Sequence, residues 1–186
     1  PTVCRFRDIA ASGAYLGSLG CDTIVADSAS LTGSIGVRSS YLEFSETLDK
    51  LGIEYVNITS GEYKEVGSQY QNASQEDVER LQETTDMVHQ QFIDLVRENR
   101  NMSEPEVQNV STGELFLGSE ARDNGLVDSL GGREVAIDEA ENLTGKELST
   151  FKVERQSSFS FTSLLAGNSW IKQFVSNDAP IRAEWN

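Results

Sequence analysis

Short apolar runs open the chain, and longer helical periods follow. Residues 2–7 read as a strand. Small residues dominate 10–19, which predicts a helix ending near Gly20. Thr23-Ile24-Val25-Ala26 is a short apolar run with the character of a buried strand. The stretch 30–37 is a glycine-punctuated turn leading into another strand. Within 41–51, Tyr41, Phe44 or Ser45, Leu48 and Leu51 fall near one helical face, and Gly52 supplies a stop. Residues 54–58 read as a strand, and 60–68 as a loop with glycines near both ends.

The clearest period lies further on. Val78, Leu81, Thr85, Val88, Phe92 and Leu95 step by three and four, predicting a helix that runs to about Arg100. Ser74 and Asp77 form a capping-box pattern at its start. His89 lies beside the stripe with no local partner and reads as a packing or surface histidine. Residues 115–117 predict a strand, 119–124 a short helix stopped by Gly125, and 126–128 a return to the sheet. Gly131-Gly132 precedes a helix over 133–143, with Val135, Ile137, Ala140 and Leu143 facing inward. Strands alternating with helices predict α/β layers. The character changes near Ser149, so a boundary is expected between 1–148 and a 149–186 extension. That extension alternates over 156–167 and carries Trp170, Ile171, Phe174 and Val175 at helical spacing. Packing on its own domain or on a neighbouring subunit would hide these groups.

Composition narrows the function. A chain of 186 residues can build one real core. Its net charge of −15 argues against nucleic acid and against docking on anionic lipid through a basic face. No apolar run approaches the length of a membrane span. A single histidine and two cysteines give no metal-ligand spacing, so neither metal nor cofactor is expected. Cys4 and Cys21 read as small buried thiols, with a disulfide as the alternative in an oxidising compartment. Five asparagines (57, 72, 101, 109 and 142) head Asn-x-Ser/Thr sequons, which leans toward an exported domain. The chain begins at Pro1, directly in a strand, which suggests that an upstream part has been removed.

The candidate chemistry centres on Ser12, in Asp8-Ile-Ala-Ala-Ser-Gly-Ala-Tyr15. A Ser-His-Asp triad would need the lone, helix-borne His89, so a lysine base is the better route. Such a lysine must be neutral, and burial lowers its pKa from about 10.4. Lys64, in Ser60-Gly-Glu-Tyr-Lys64, is flanked by a glycine that permits a tight loop. Lys50 sits on an amphipathic helix beside Asp49, and Lys146, Lys152 and Lys172 lie in late segments. Glu62 and Glu65 count against Lys64, because a facing carboxylate would hold it charged.

Four motifs in order carry a resemblance. Asp8 to Tyr15, then Cys21-Asp-Thr-Ile-Val-Ala, then Leu31-Thr-Gly-Ser34-Ile-Gly-Val37, then Ser60-Gly-Glu-Tyr-Lys64-Glu resemble the S49 family of serine–lysine peptidases. This is the family of signal peptide peptidase A and protease IV. The run from Gly118 to Gly132 is similar as well, and the resemblance covers about 1–145. Ser12 and Lys64 stand 52 positions apart, the spacing expected of the short form. The resemblance implies a ClpP/crotonase-like fold of stacked ββα units and assembly into a homo-oligomeric ring or dome. It implies Ser12 as nucleophile, Lys64 as general base, Ser34 as the hydroxyl orienting the Lys64 amine, and the Gly13 N–H as an oxyanion donor. Peptide substrates would be apolar, such as cleaved signal peptides or remnants of membrane proteins. The family also has an upstream region of strands, with a second oxyanion donor, and an N-terminal membrane anchor. A membrane-associated protein with its catalytic domain outside the cytoplasm is therefore expected. Arg5 and Arg7 depart from the apolar residues expected before the serine. The rival expectations are a non-catalytic assembly module of such an oligomer and, last, an acyl-CoA enzyme of the crotonase type.

Overall fold

The chain forms β1 (Val3–Phe6), β2 (Ile9–Ala11), α1 (Gly13–Ser18), β3 (Thr23–Ala26), β4 (Leu31–Gly33) and α2 (Ser45–Leu51). There follow α3 (Gln75–Asn99), α4 (Glu104–Val110), β5 (Leu115–Leu117), α5 (Gly118–Asp123), β6 (Ser129–Leu130) and α6 (Arg133–Thr144). This computed structural model describes residues 1–153, and 1–148 make up one compact unit. The expected alternation at 156–167 and the helical spacing at 170–175 lie outside the described residues.

Successive strand pairs divide between two sheets. β1 and β3 pair in parallel, and β6 adds to β3. β2 and β4 pair in parallel in the second sheet, with β5 antiparallel on β4. Each early unit thus sends one strand to each sheet, and the first continues into a helix, giving the stacked ββα arrangement. β3 is buried at all four positions, which is why Ile24, Val25 and Ala26 follow one another without polar alternation.

A polar pin holds the layers together. The Asp128 carboxylate accepts from the Ile24 N–H at 2.7 Å and from Arg100 Nη1 and Nη2 at 3.1 and 2.5 Å. Arg100, just past α3, also donates through Nε to the Gly125 carbonyl at 2.9 Å. Tyr15, wholly buried on α1, donates its hydroxyl to the Leu126 carbonyl at 3.0 Å. The loop between α5 and β6 therefore fastens α1, β3 and the end of α3. Gly118 is required nearby, because a Cβ there would overlap the Asp27 carbonyl oxygen. Arg5 belongs to the same scheme: its Nη2 donates to Asp27 Oδ2 at 2.9 Å, while Arg7 is exposed.

Several elements differ from their sequence pattern. The expected 10–19 helix begins only at Gly13, because Ile9–Ala11 is committed to pairing with β4. Residues 54–58 form no strand and remain exposed, having no sheet edge to join. The start of the 41–51 helix is pushed to Ser45. The strand expected at 126–128 falls at Ser129–Leu130, since Leu126 and Val127 are spent on the core. α3 keeps its predicted capping box, but only Phe92, Ile93 and Val96 are buried, whereas Val78, Val88 and Leu95 are exposed. The 25-residue helix outruns the α1 and α4 surfaces on which it packs. α6 likewise buries none of its residues fully, and Leu143 faces water. α4 was not anticipated, although Ser103, Pro105 and Glu106 supply a capping box and a proline-led first turn. Cys4 and Cys21 are joined as a disulfide rather than standing as thiols.

Burial pushes the Tyr15 hydroxyl well above the usual phenol range; Arg100 opposes this and Asp128 reinforces it. Above pH ~10 the unfolded chain loses this proton and the fold retains it, so stability falls by up to about 1.4 kcal/mol per pH unit. We expect Tyr15→Phe to cost about 1 kcal/mol at neutral pH, from the lost hydrogen bond. Urea midpoints measured from pH 8 to 11 should then fall less steeply for Tyr15→Phe than for wild type.

Candidate active site

Ser12 occupies the turn between β2 and α1, with φ 53° and ψ −121°. This backbone region is one that residues with a Cβ avoid. Two bonds hold it there: the Ser12 N–H donates to the Gly33 carbonyl at 2.8 Å, and its carbonyl accepts from the Leu16 N–H at 2.9 Å. The strain is supported from below by Tyr15, one turn along the helix. Small residues at 10–14 leave the serine exposed at the surface.

The neighbouring strand ends in the same unusual way. Gly33 has φ 76° and Ser34 φ 50°, and the Ser34 N–H donates to the Glu114 carbonyl at 2.7 Å. Gly33 has no room for a side chain, because its Cβ would lie 2.6 Å from the Phe116 ring. Two parallel strands thus deliver Ser12 and Ser34 side by side at their carboxyl ends. Both serines line one polar cleft of about 610 Å³, together with Arg38, His89 and Thr112. Ser12 and Gly13 also line an apolar cleft of about 330 Å³, walled by Leu16, Val88, Phe92 and Leu95. The Gly13 N–H, in the first turn of α1, has no hydrogen-bond partner among the described residues.

Lys64 is elsewhere. It is exposed and lines a separate cleft of about 750 Å³ with Tyr41, Tyr55 and Tyr70. It makes no ion pair among the described residues, and the Tyr55 hydroxyl donates to Glu65 at 3.4 Å. The segment is fastened to α3 through Tyr63, whose ring lies 3.4 Å from the Arg80 guanidinium. Within a single chain, then, Ser12, Gly13 and Ser34 are brought together and Lys64 is not.

His89, read from the sequence as a packing or surface histidine, also lines the cleft beside Ser12. It is half-buried on α3, and its Nε2 donates to the Ser111 carbonyl at 3.1 Å. Since a carbonyl only accepts, Nε2 carries the proton and is not free as a base. Helical spacing placed His89 beside the apolar stripe, but nothing local tied it to a serine 77 positions earlier. Among the described residues no cluster of His, Cys, Asp or Glu could hold a metal ion.

The fold and this turn define an α/β protein that presents a strained serine at a strand-to-helix junction. The model of peptidase family S49 matches residues 1–147, and the chain belongs to that family. It is 35% identical to "Putative protease MJ0651" of Methanocaldococcus jannaschii, over 77% of this chain and 46% of that protein. It is 37% identical to "Putative signal peptide peptidase SppA" of Enterococcus faecium, over 74% of this chain and 40% of that protein. The chain thus spans less than half the length of these curated relatives. An enoyl-CoA hydratase structure from Mycobacterium smegmatis aligns with 79% of this chain and 39% of its own, at 16% identity and a TM-score of 0.39.

Replacing Ser12 by glycine should relieve the positive φ and stabilise the fold by about 1 kcal/mol. Ser12→Ala keeps the Cβ and should give no such gain. Thermal unfolding of the two variants beside wild type checks this.

Proposed function

We propose that the full protein is a serine endopeptidase in which Ser12 is the nucleophile and Lys64 the general base. The observation that carries this reading is the strained, exposed Ser12 at the mouth of two clefts, one of them apolar. Neutral Lys64 takes the Ser12 hydroxyl proton as Oγ attacks a peptide carbonyl. The Gly13 N–H donates to the developing oxyanion. Lys64 then protonates the leaving amine, and water hydrolyses the acyl ester. Ser34 orients the lysine amine. The apolar cleft favours substrates rich in apolar residues, such as cleaved signal peptides or membrane-protein remnants.

In this reading the dyad closes on assembly. A lysine acting as a base must be neutral, and burial is what favours that form, so Lys64, exposed in the single chain, needs a covering surface to serve. Its segment also displays unpartnered apolar groups, among them Leu42, Val56 and Ile58, the last 93% exposed. A second copy of the chain would cover both, and would bring Lys64 of one subunit to Ser12 of the next. Among the described residues no helix is long and apolar enough to cross a membrane, so an anchor would have to come from elsewhere in the full protein. The Cys4–Cys21 disulfide favours a site outside the cytoplasm. The separation of Ser12 and Lys64 into different clefts also suits a second reading, a non-catalytic module of such an assembly.

The test follows cleavage of a quenched apolar peptide by the full-length protein. Ser12→Ala and Lys64→Ala should each lose about 10³-fold or more. Mixing the two variants under conditions that exchange subunits should restore a substantial share of activity. No recovery would place the dyad within one subunit. Wild-type inactivity on varied apolar peptides would favour the module.

A further inference from the structure

The two clefts that meet at Ser12 differ in chemistry. One wall is made by Leu16, Val88, Phe92 and Leu95 and suits an apolar side chain. The other cleft is polar, and among the described residues its ionisable lining groups are Arg38 and His89, both basic. The chain carries 30 acidic residues against 15 lysines and arginines, yet among the described residues no Asp or Glu lines either cleft. Arg38 lines both and has no carboxylate partner among the described residues. Several other arginines are paired, Arg5 with Asp27, Arg97 with Asp94 and Glu104, and Arg100 with Asp128, whereas Arg7, like Arg38, has no ion pair among the described residues. His89 has Nε2 tied to the Ser111 carbonyl, while Nδ1 has no partner among the described residues.

We propose that the polar cleft beside Ser12 binds a carboxylate of the substrate peptide, with Arg38 and His89 as its specificity-determining residues. The proposal rests on the peptidase reading above and deepens it. Arg38 supplies a permanent charge and a planar fork that matches a carboxylate. His89 lines the same cleft with its Nδ1 side open, while Nε2 is held by the Ser111 carbonyl. A cationic cleft on a strongly acidic surface also draws an anionic group toward Ser12 and away from the rest of the chain. Preferred substrates would then be peptides that present an apolar side chain to one cleft and a carboxylate to the other. That carboxylate is either an acidic side chain near the scissile bond or the peptide's own carboxyl terminus.

The experiment compares kcat/KM of the full-length protein on matched quenched peptides. One series moves Glu, against Gln, through the positions around the cleavage point. A second compares a free carboxyl terminus with its amide at varied distance from that point. The expected result is a preference of about tenfold or more for the charged member of at least one pair. Which series shows it identifies the source of the carboxylate. Arg38→Gln, and more fully Arg38→Gln with His89→Gln, should bring that ratio toward one. Cleavage of every pair with equal kcat/KM would overturn the carboxylate site and leave the peptidase reading standing. A preference that survives the double variant would overturn the assignment to this cleft. Absence of cleavage for all peptides by a folded protein would overturn the peptidase reading and this proposal with it.

Discussion

The hydrogen bond from the Ser12 N–H to the Gly33 carbonyl is the constraint on which the site depends. It ends β2 against β4 and turns the chain sharply enough to start α1 one residue later. It also fixes Ser12 in a backbone conformation costing about 1–3 kcal/mol, which the surroundings must over-determine. They do so through Tyr15, whose buried ring and bond to the Leu126 carbonyl clamp the helix that follows. Asp128 and Arg100 then hold the Leu126 loop to β3 and α3. A chain of polar contacts through the core thus ends at an exposed hydroxyl.

Much of the fold is legible in the sequence where the rules are local. Thr23–Ala26 and Leu115–Leu117 form strands at the expected positions, and Ser74 with Asp77 caps α3 as its pattern requires. The failures arise where partners decide. Residues 54–58 have strand-like composition and no edge to pair with. Ala10 and Ala11 look helical among small residues, but β4 lies alongside and claims them for β2. The stripe of α3 is regular throughout, and only the portion facing α1 and α4 is buried.

The site was legible in a different measure. Ser12 stands out in its own run of small residues, while Gly13 and Ser34 join it only through the family resemblance; the pairing of β2 with β4 is what sets the three side by side. Lys64 comes from a segment of loops and turns, and no local rule says where such a segment rests. His89 and Arg38 illustrate the opposite limit. Each reads alone as an unremarkable polar residue, and only the tertiary fold makes both line a cleft with Ser12.

The disulfide adds a topological consequence. Cys4 lies on β1 and Cys21 lies just past α1, so the bond closes a covalent hoop that contains Ser12. A break in the backbone anywhere inside that hoop leaves both new ends attached through sulfur. The serine's platform therefore has a second, non-peptide route of continuity, available even where the surrounding medium is rich in cut chains.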